Sequence, residues 1–267
     1  MRAVSKSIGL AMLAAAVSVA PLSAEHATQT AHAPHAAHGK PHWSYSGSTG
    51  PANWAGLEED YKTCGAGKTQ SPIDIRDAGV RKSDLPAIEF HYQPSKLKII
   101  DNGHTIQVNV EPGSSITVGD RQYQLVQFHF HKPSEEQING KSYDMVAHLV
   151  HKDAEGKLAV VAVLLSAGDA ENGLIKTLWS NLPKTKEAEQ SIDAVTIDPA
   201  DLLPADHAYY TFAGSLTTPP CSEGVTWFVL QHPTQVSRDE VARFGQIYPK
   251  NARPVQALNG REIKAGG

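Results

Sequence analysis

No basic run interrupts this sequence. Lys and Arg number 24 against 28 acids, the formal net charge is -4, and the nearest approach to a basic cluster is Lys184 with Lys186, a solvated loop. That excludes the electrostatic footprint needed to bind nucleic acid. Beyond the amino terminus no segment reaches the roughly 18 consecutive apolar residues of a membrane-spanning helix, so no span is expected in the mature chain. A Gly-x-Ser-x-Gly elbow is missing, which removes the usual serine esterase arrangement, and there is no internal repeat. Cysteine is reduced to Cys64 and Cys221.

What is present begins with an export signal. Arg2 and Lys6 supply a positive start, Ile8 to Ala20 an apolar run and Leu22-Ser23-Ala24 a small-residue cleavage site, so residues 1–24 are expected to be removed and the protein to be periplasmic or secreted. Residues 25–41 are a His/Ala-rich tail with no apolar face to bury, expected to be a disordered spacer. That leaves 42–267 for a single domain, a length one core can serve. An oxidising destination favours a Cys64–Cys221 disulfide. With the two cysteines 157 positions apart, the chain-entropy model gives about 5 kcal/mol of stabilisation as an upper figure.

The most informative stretch is Gln127-Phe128-His129-Phe130-His131, taken with His148 in Met145 to His151. Strand side chains alternate faces, so His129 and His131 share one side while Val126, Phe128 and Phe130 fill the other. About a dozen turn-forming residues separate this strand from the next apolar run, a spacing suited to an antiparallel neighbour that brings His148 opposite the pair. Three neutral imidazoles with an open fourth position are the donor set of a catalytic zinc ion rather than a structural one. His151, three residues beyond His148, falls on the opposite strand face and is not a ligand.

Strand patterns dominate from Ala87 onward: Ala87–Tyr92, Leu97–Ile100, Thr105–Val110, Ser115–Val118, Gln122–His131, Met145–His151, Leu158–Leu165 and Val225–Leu230. Leu158–Leu165 is continuously apolar, which predicts a central strand buried on both faces. Thr211 to Pro220 reads as a break in regularity. Two helices are expected, Glu171–Asn181 by its apolar spacing and one after the capping box Ser237-Arg238-Asp239-Glu240. The fold class is therefore mainly β with a few peripheral helices.

The segments FHFH, SEE, AHLVH, NGH and GSLTTPP, at these spacings, closely resemble the α-class carbonic anhydrases, and the cysteine pair with the signal resembles their exported bacterial branch. The likeness runs from about His42 to Arg261. It implies a twisted, mostly antiparallel sheet of about ten strands, with Zn2+ bound by His129, His131 and His148 at the base of a conical cavity. It implies reversible hydration of carbon dioxide to bicarbonate and a proton, the zinc-held water ionising near neutrality; that ionisation is a property of this family, not one derived from this chain. By the same resemblance Thr217 donates to Glu135 and orients the nucleophile, Thr218 positions bicarbonate, and Val150, Val160, Leu216 and Trp227 form the apolar wall for carbon dioxide. His104 matches the proton shuttle, and Tyr45, Asn102 and Gln107 match the residues that order the intervening waters. A shuttle is needed because an acid of pKa near 7 loses its proton to water at only about 10³ s⁻¹.

For the outer imidazole nitrogens, Gln127 lies two before His129 on its own face, and the backbone carbonyl of Asn251 serves His131 by resemblance. One position departs from the family. The residue two before the third histidine is usually glutamate and here is Val146, so His148 must find a water, a backbone carbonyl or a side chain from elsewhere. On this reading the chain should lose zinc faster than a Val146→Glu variant. The competing reading is a catalytically silent domain of this fold that binds a partner or stores zinc. Silent relatives lose a zinc histidine, and this chain keeps all three with Thr217 and Glu135. A homodimer is left open.

Overall fold

The computed structural model describes residues 42–266, so the expected signal at 1–24 and tail at 25–41 lie outside the described residues. Within that range a 13-stranded sheet carries the architecture. Its strands are β1 (Val80–Lys82), β2 (Ile88–His91), β3 (Ser95–Asp101), β4 (Ile106–Asn109), β5 (Ser115–Val118), β6 (Arg121–His131) and β7 (Met145–Lys152), then β8 (Leu158–Gly168), β9 (Gln190–Ile197), β10 (Tyr209–Ser215), β11 (Glu223–Leu230), β12 (Thr234–Ser237) and β13 (Ile263–Gly266). The spatial order is β9-β3-β4-β6-β7-β8-β11-β10-β13-β1, with β12 on β8 and β5 linking β2 to β6. Three pairings, β8 with β11, β8 with β12 and β13 with β1, are parallel; the others are antiparallel. The mainly β, mostly antiparallel expectation holds.

The apolar run of β8 is buried on both faces because two cores flank it. On one side Phe128, Phe130, Ala147, Leu149, Val161 and Val163 pack under helices α3 (Gly173–Ser180) and α4 (Arg238–Ile247), through Leu174, Leu178, Trp179 and Phe244. On the other, Val146, Val150, Val160, Ala162 and Trp227 form a smaller cluster. Helix α3 is capped by the Asn172 side chain on the Ile175 N–H, and α4 starts with the Ser237/Glu240 capping box that its sequence announces. Two short helices, α1 (Trp54–Leu57) and α2 (Thr63–Ala66), bring Trp54 and Cys64 into a third cluster with Trp43 and Cys221. Cys64 and Cys221 are bonded, with Cα atoms 5.0 Å apart.

Two local expectations fail. Val126 is 42% exposed instead of core. In the β6–β7 ladder Val150 faces Gln127 but His151 faces Leu125, a bulge that skips Val126, turns it outward and sends Leu125 to the core. The segment from Thr211 is not irregular either, for β10 continues through Gly214 to Ser215 against β11. Gly214 is required there by contact, since a Cβ would come within 2.2 Å of Ser71 Oγ and 2.6 Å of the Trp227 ring.

Candidate metal centre

Register places the histidines. His129 of β6 is the direct neighbour of His148 on β7, and His131 is opposite Val146. Because β6 rises two residues between His129 and His131, both rings stand on the His148 side of the sheet. Ring centroids lie 5.0 Å apart for His129 and His131, 5.5 Å for His129 and His148, and 4.8 Å for His131 and His148. One nitrogen from each ring falls within 4.8 Å of the others, and among the described residues no other His, Cys, Asp or Glu group of three converges this way.

Each outer nitrogen is occupied. His129 Nδ1 meets Gln127 Oε1 at 2.8 Å, and His131 Nδ1 donates to the Asn251 carbonyl at 2.7 Å. His148 Nε2 donates to Glu136 Oε2 at 3.1 Å. The inward set is then Nε2 of His129, Nε2 of His131 and Nδ1 of His148, each ring's tautomer being fixed by its outer bond. His131 Nε2 is buried with no hydrogen-bond partner. A buried polar atom without a partner is costly, and a metal ion is a partner that suits three neutral imidazole nitrogens. The residues therefore fit zinc.

The electrostatics agree. Burial, then His148, holds His129 down to about 3, and burial, His148 and His129 hold His131 well below its ordinary value, so both stay neutral as ligands must. His148 differs. Burial would lower it, but Glu136 and Glu135 outweigh burial and raise it. Glu135 Oε1 accepts the Arg253 N–H at 2.7 Å, while Oε2 lies 3.5 Å from His131 Nε2 and 3.9 Å from His148 Nδ1 with no hydrogen bond of its own. Burial pushes Glu135 up to about 7, against His148, the Arg253 N–H and Thr217, which pull it down.

The three histidines line a cavity of about 230 Å3. All the other expected cavity residues line it: Val150, Val160, Leu216 and Trp227, then Thr217 and Thr218, then Tyr45, Asn102, Gln107 and His104. The pattern of the eukaryotic-type carbonic anhydrase family matches residues 49–266. The chain belongs to the α-class carbonic anhydrase family. It is 47% identical over 226 residues to a carbonic anhydrase of Klebsiella pneumoniae, covering 83% of this chain and 90% of that one, and 42% identical over 224 residues to one of Nostoc, covering 83% and 84%. Among solved structures, the α-carbonic anhydrase of Thermovibrio ammonificans in complex with the inhibitor sulfanilamide superposes with a TM-score of 0.80 at 41% identity, over 85% of this chain and all of that one. The fold that this family implies is thus the fold observed.

Three residues that sequence reasoning passed over stand at the site. Trp43 stacks on His104 with ring centroids 3.6 Å apart and planes 9° apart, and His104 Nε2 lies 2.7 Å from His42 Nε2. Burial, then His42 and Lys186, holds His104 down to about 4, with Asp101 opposing. No periodicity links residues 42 and 43 to a turn at 104, so only the fold reveals this. The third is Glu136. Its signal was present as a second carboxylate directly after Glu135, paired with the missing one at Val146. His151 is confirmed on the opposite face, where its Nε2 lies 2.9 Å from the Tyr92 hydroxyl in the large core.

Proposed function

We propose that this chain hydrates carbon dioxide reversibly to bicarbonate and a proton, with zinc held by His129, His131 and His148. The observation that carries the proposal is the convergence of three imidazoles whose outer nitrogens are all tied, leaving three inward donors and one buried nitrogen without a partner. Bound zinc supplies Lewis acidity that lets water act as a nucleophile near neutral pH, the standard property of this family.

The protein's own groups do the rest. With Oε1 of Glu135 taken by the Arg253 N–H, Oε2 is the acceptor left for the Thr217 hydroxyl. Once that hydroxyl donates to Glu135, its oxygen can only accept, which fixes the direction in which a proton at the site must point. Trp227 ties its indole N–H to the Ser215 carbonyl at 3.1 Å and so offers the cavity only an apolar surface. With Val150, Val160 and Leu216 it makes a wall without hydrogen-bonding groups, suited to carbon dioxide and unsuited to competing water. Thr218, on the same loop as Thr217, supplies a hydroxyl for bicarbonate.

His104 lines the same cavity and is the proton acceptor in this reading, with a proton affinity held below that of a free imidazole by burial and His42. Asn102 Oδ1 accepts from the His104 and Thr105 N–H groups at 3.0 Å each, which holds the turn, and Asn102 Nδ2 donates to Gln107 at 3.3 Å. Tyr45 keeps a buried hydroxyl with no protein partner, so it and these amides can order the path. The test is carbon dioxide hydration followed together with zinc content, with and without a chelator. Activity and one zinc per chain are expected to fall together on chelation and in His148→Ala; full turnover in a variant still holding one equivalent would refute the ligand set.

A further inference from the structure

His148 lies between two carboxylates that follow one another in the chain. Glu135 approaches its Nδ1 side at 3.9 Å and Glu136 its Nε2 side at 3.1 Å. Both come from the loop between β6 and β7, and both side chains are fully buried. The strand position that could serve the same nitrogen, Val146, carries no acceptor and is itself fully buried in the smaller core.

The loop is built to hold this geometry. Ser134 exchanges backbone and side-chain bonds with Tyr143, giving N–H to the Tyr143 carbonyl at 3.0 Å and accepting the Tyr143 N–H on Oγ at 2.9 Å. The same hydroxyl donates to the Glu136 carbonyl at 2.7 Å. Directly after Glu136, the Gln137 N–H donates to the Ile73 carbonyl at 3.2 Å, and Gln137–Ile138 is the middle strand of a separate three-stranded sheet, parallel to Asp74–Ile75 and antiparallel to Lys141–Ser142. The backbone of Glu136 is therefore fixed on both sides.

We infer that Glu136 is the positioning residue for the third metal ligand, a role moved in this chain from the β7 position 146 to the loop, and that the small sheet serves to hold it there. The inference rests on the zinc reading of the three histidines. Its physical content is that a carboxylate on Nε2–H fixes the ring's tautomer and orientation and raises the basicity of Nδ1, so its removal weakens metal retention about 10- to 100-fold. The expectation drawn from Val146 alone changes accordingly. With Glu136 already in place, Val146→Glu adds a second carboxylate to an occupied, apolar site and gains nothing.

The test follows the rate at which the zinc-loaded protein surrenders its metal to a chromogenic chelator, with circular dichroism confirming that each variant is folded. Glu136→Ala is expected to release zinc 10- to 100-fold faster than the unaltered protein. Glu136→Gln, which keeps the shape and an acceptor but loses the charge, is expected to be several-fold faster, and decides the matter if the alanine variant does not fold. Val146→Glu in the Glu136→Ala background is expected to slow release again, while Val146→Glu alone does not. A folded Glu136 variant that releases zinc at the original rate, or a Val146→Glu single variant that releases it more slowly, would overturn the inference. Neither result touches the function reading, which fails separately if the unaltered chain holds no stoichiometric zinc.

Discussion

Cutting the Cys64–Cys221 bridge should cost stability far more than it costs chemistry. The two ends close a loop of 157 residues, for which chain entropy gives about 5 kcal/mol, a ceiling because denatured chains are more compact than the calculation assumes. For a chain of this size each kcal/mol moves the melting temperature by about 2–4 °C, so Cys64→Ala/Cys221→Ser is expected to melt lower by up to about 10–20 °C. Cys221 sits at φ +57°, where a side chain costs about 1 kcal/mol relative to glycine, so Cys64→Ala/Cys221→Gly should recover about that amount. The loop before Cys221 has bonds of its own. The Cys221 N–H donates to the Thr218 carbonyl at 2.8 Å, the Leu216 N–H to the Ser222 carbonyl at 3.0 Å and Gln70 to the Cys221 carbonyl at 3.0 Å. Thr217 is thus held without the sulfur bridge, and zinc content and turnover at 25 °C are expected to survive. The assay is urea unfolding at equal zinc saturation, since bound metal adds its own stabilisation. A loss under about 1 kcal/mol, or two titratable thiols in denatured, unreduced protein, would refute the reasoning.

Three further outcomes concern histidines outside the ligand set. Burial holds His151 down to about 3 against 6.5 unfolded, so between those values the unfolded chain binds a proton that the folded one does not. Stability from this group is full above pH 6.5 and lost as pH falls, by about 2 kcal/mol at pH 5; His151→Gln should remove that part of the acid slope in urea titrations of metal-free protein, and an unchanged slope would count against it. His104→Ala is expected to lower kcat at low buffer while leaving kcat/KM nearly intact, with rescue by added imidazole, whereas equal losses in both without rescue would place His104 elsewhere in the machinery. His42→Ala should raise the His104 pKa from about 4, as followed by proton NMR; no change would mean that His42 does not depress it.

The strands that sequence made legible are those with one apolar face or two. β6, β7 and β8 show their alternation or continuous burial directly. β9 was missed because it is an exposed edge with a single buried residue, Ile197, and a bulge between Ile192 and Thr196. β10 was missed because Gly214 reads as a breaker, whereas it lets Ser71 and the Trp227 ring approach the backbone. Val126 was misplaced because a period of two carries no sign of a residue skipped by the partner strand.

The same limit decides which parts of the site could be read. His129, His131 and Gln127 are i and i+2 neighbours on one strand, and a period of two is enough to place them together. His148 needed a second strand, and a turn of suitable length between two apolar runs was enough for that. Glu136 has no periodic relation to His148. It reaches the ring because the small sheet and Ser134 hold its backbone, and sequence could register it only as an acceptor missing at Val146 beside a carboxylate in excess next to Glu135. His104 is subtler. Its place in the turn was legible from Asn102-Gly103, but its proton affinity is set by burial and by His42, 62 residues away. Position along a strand is a local property, while the charge state of a buried imidazole depends on whichever groups the whole fold gathers round it.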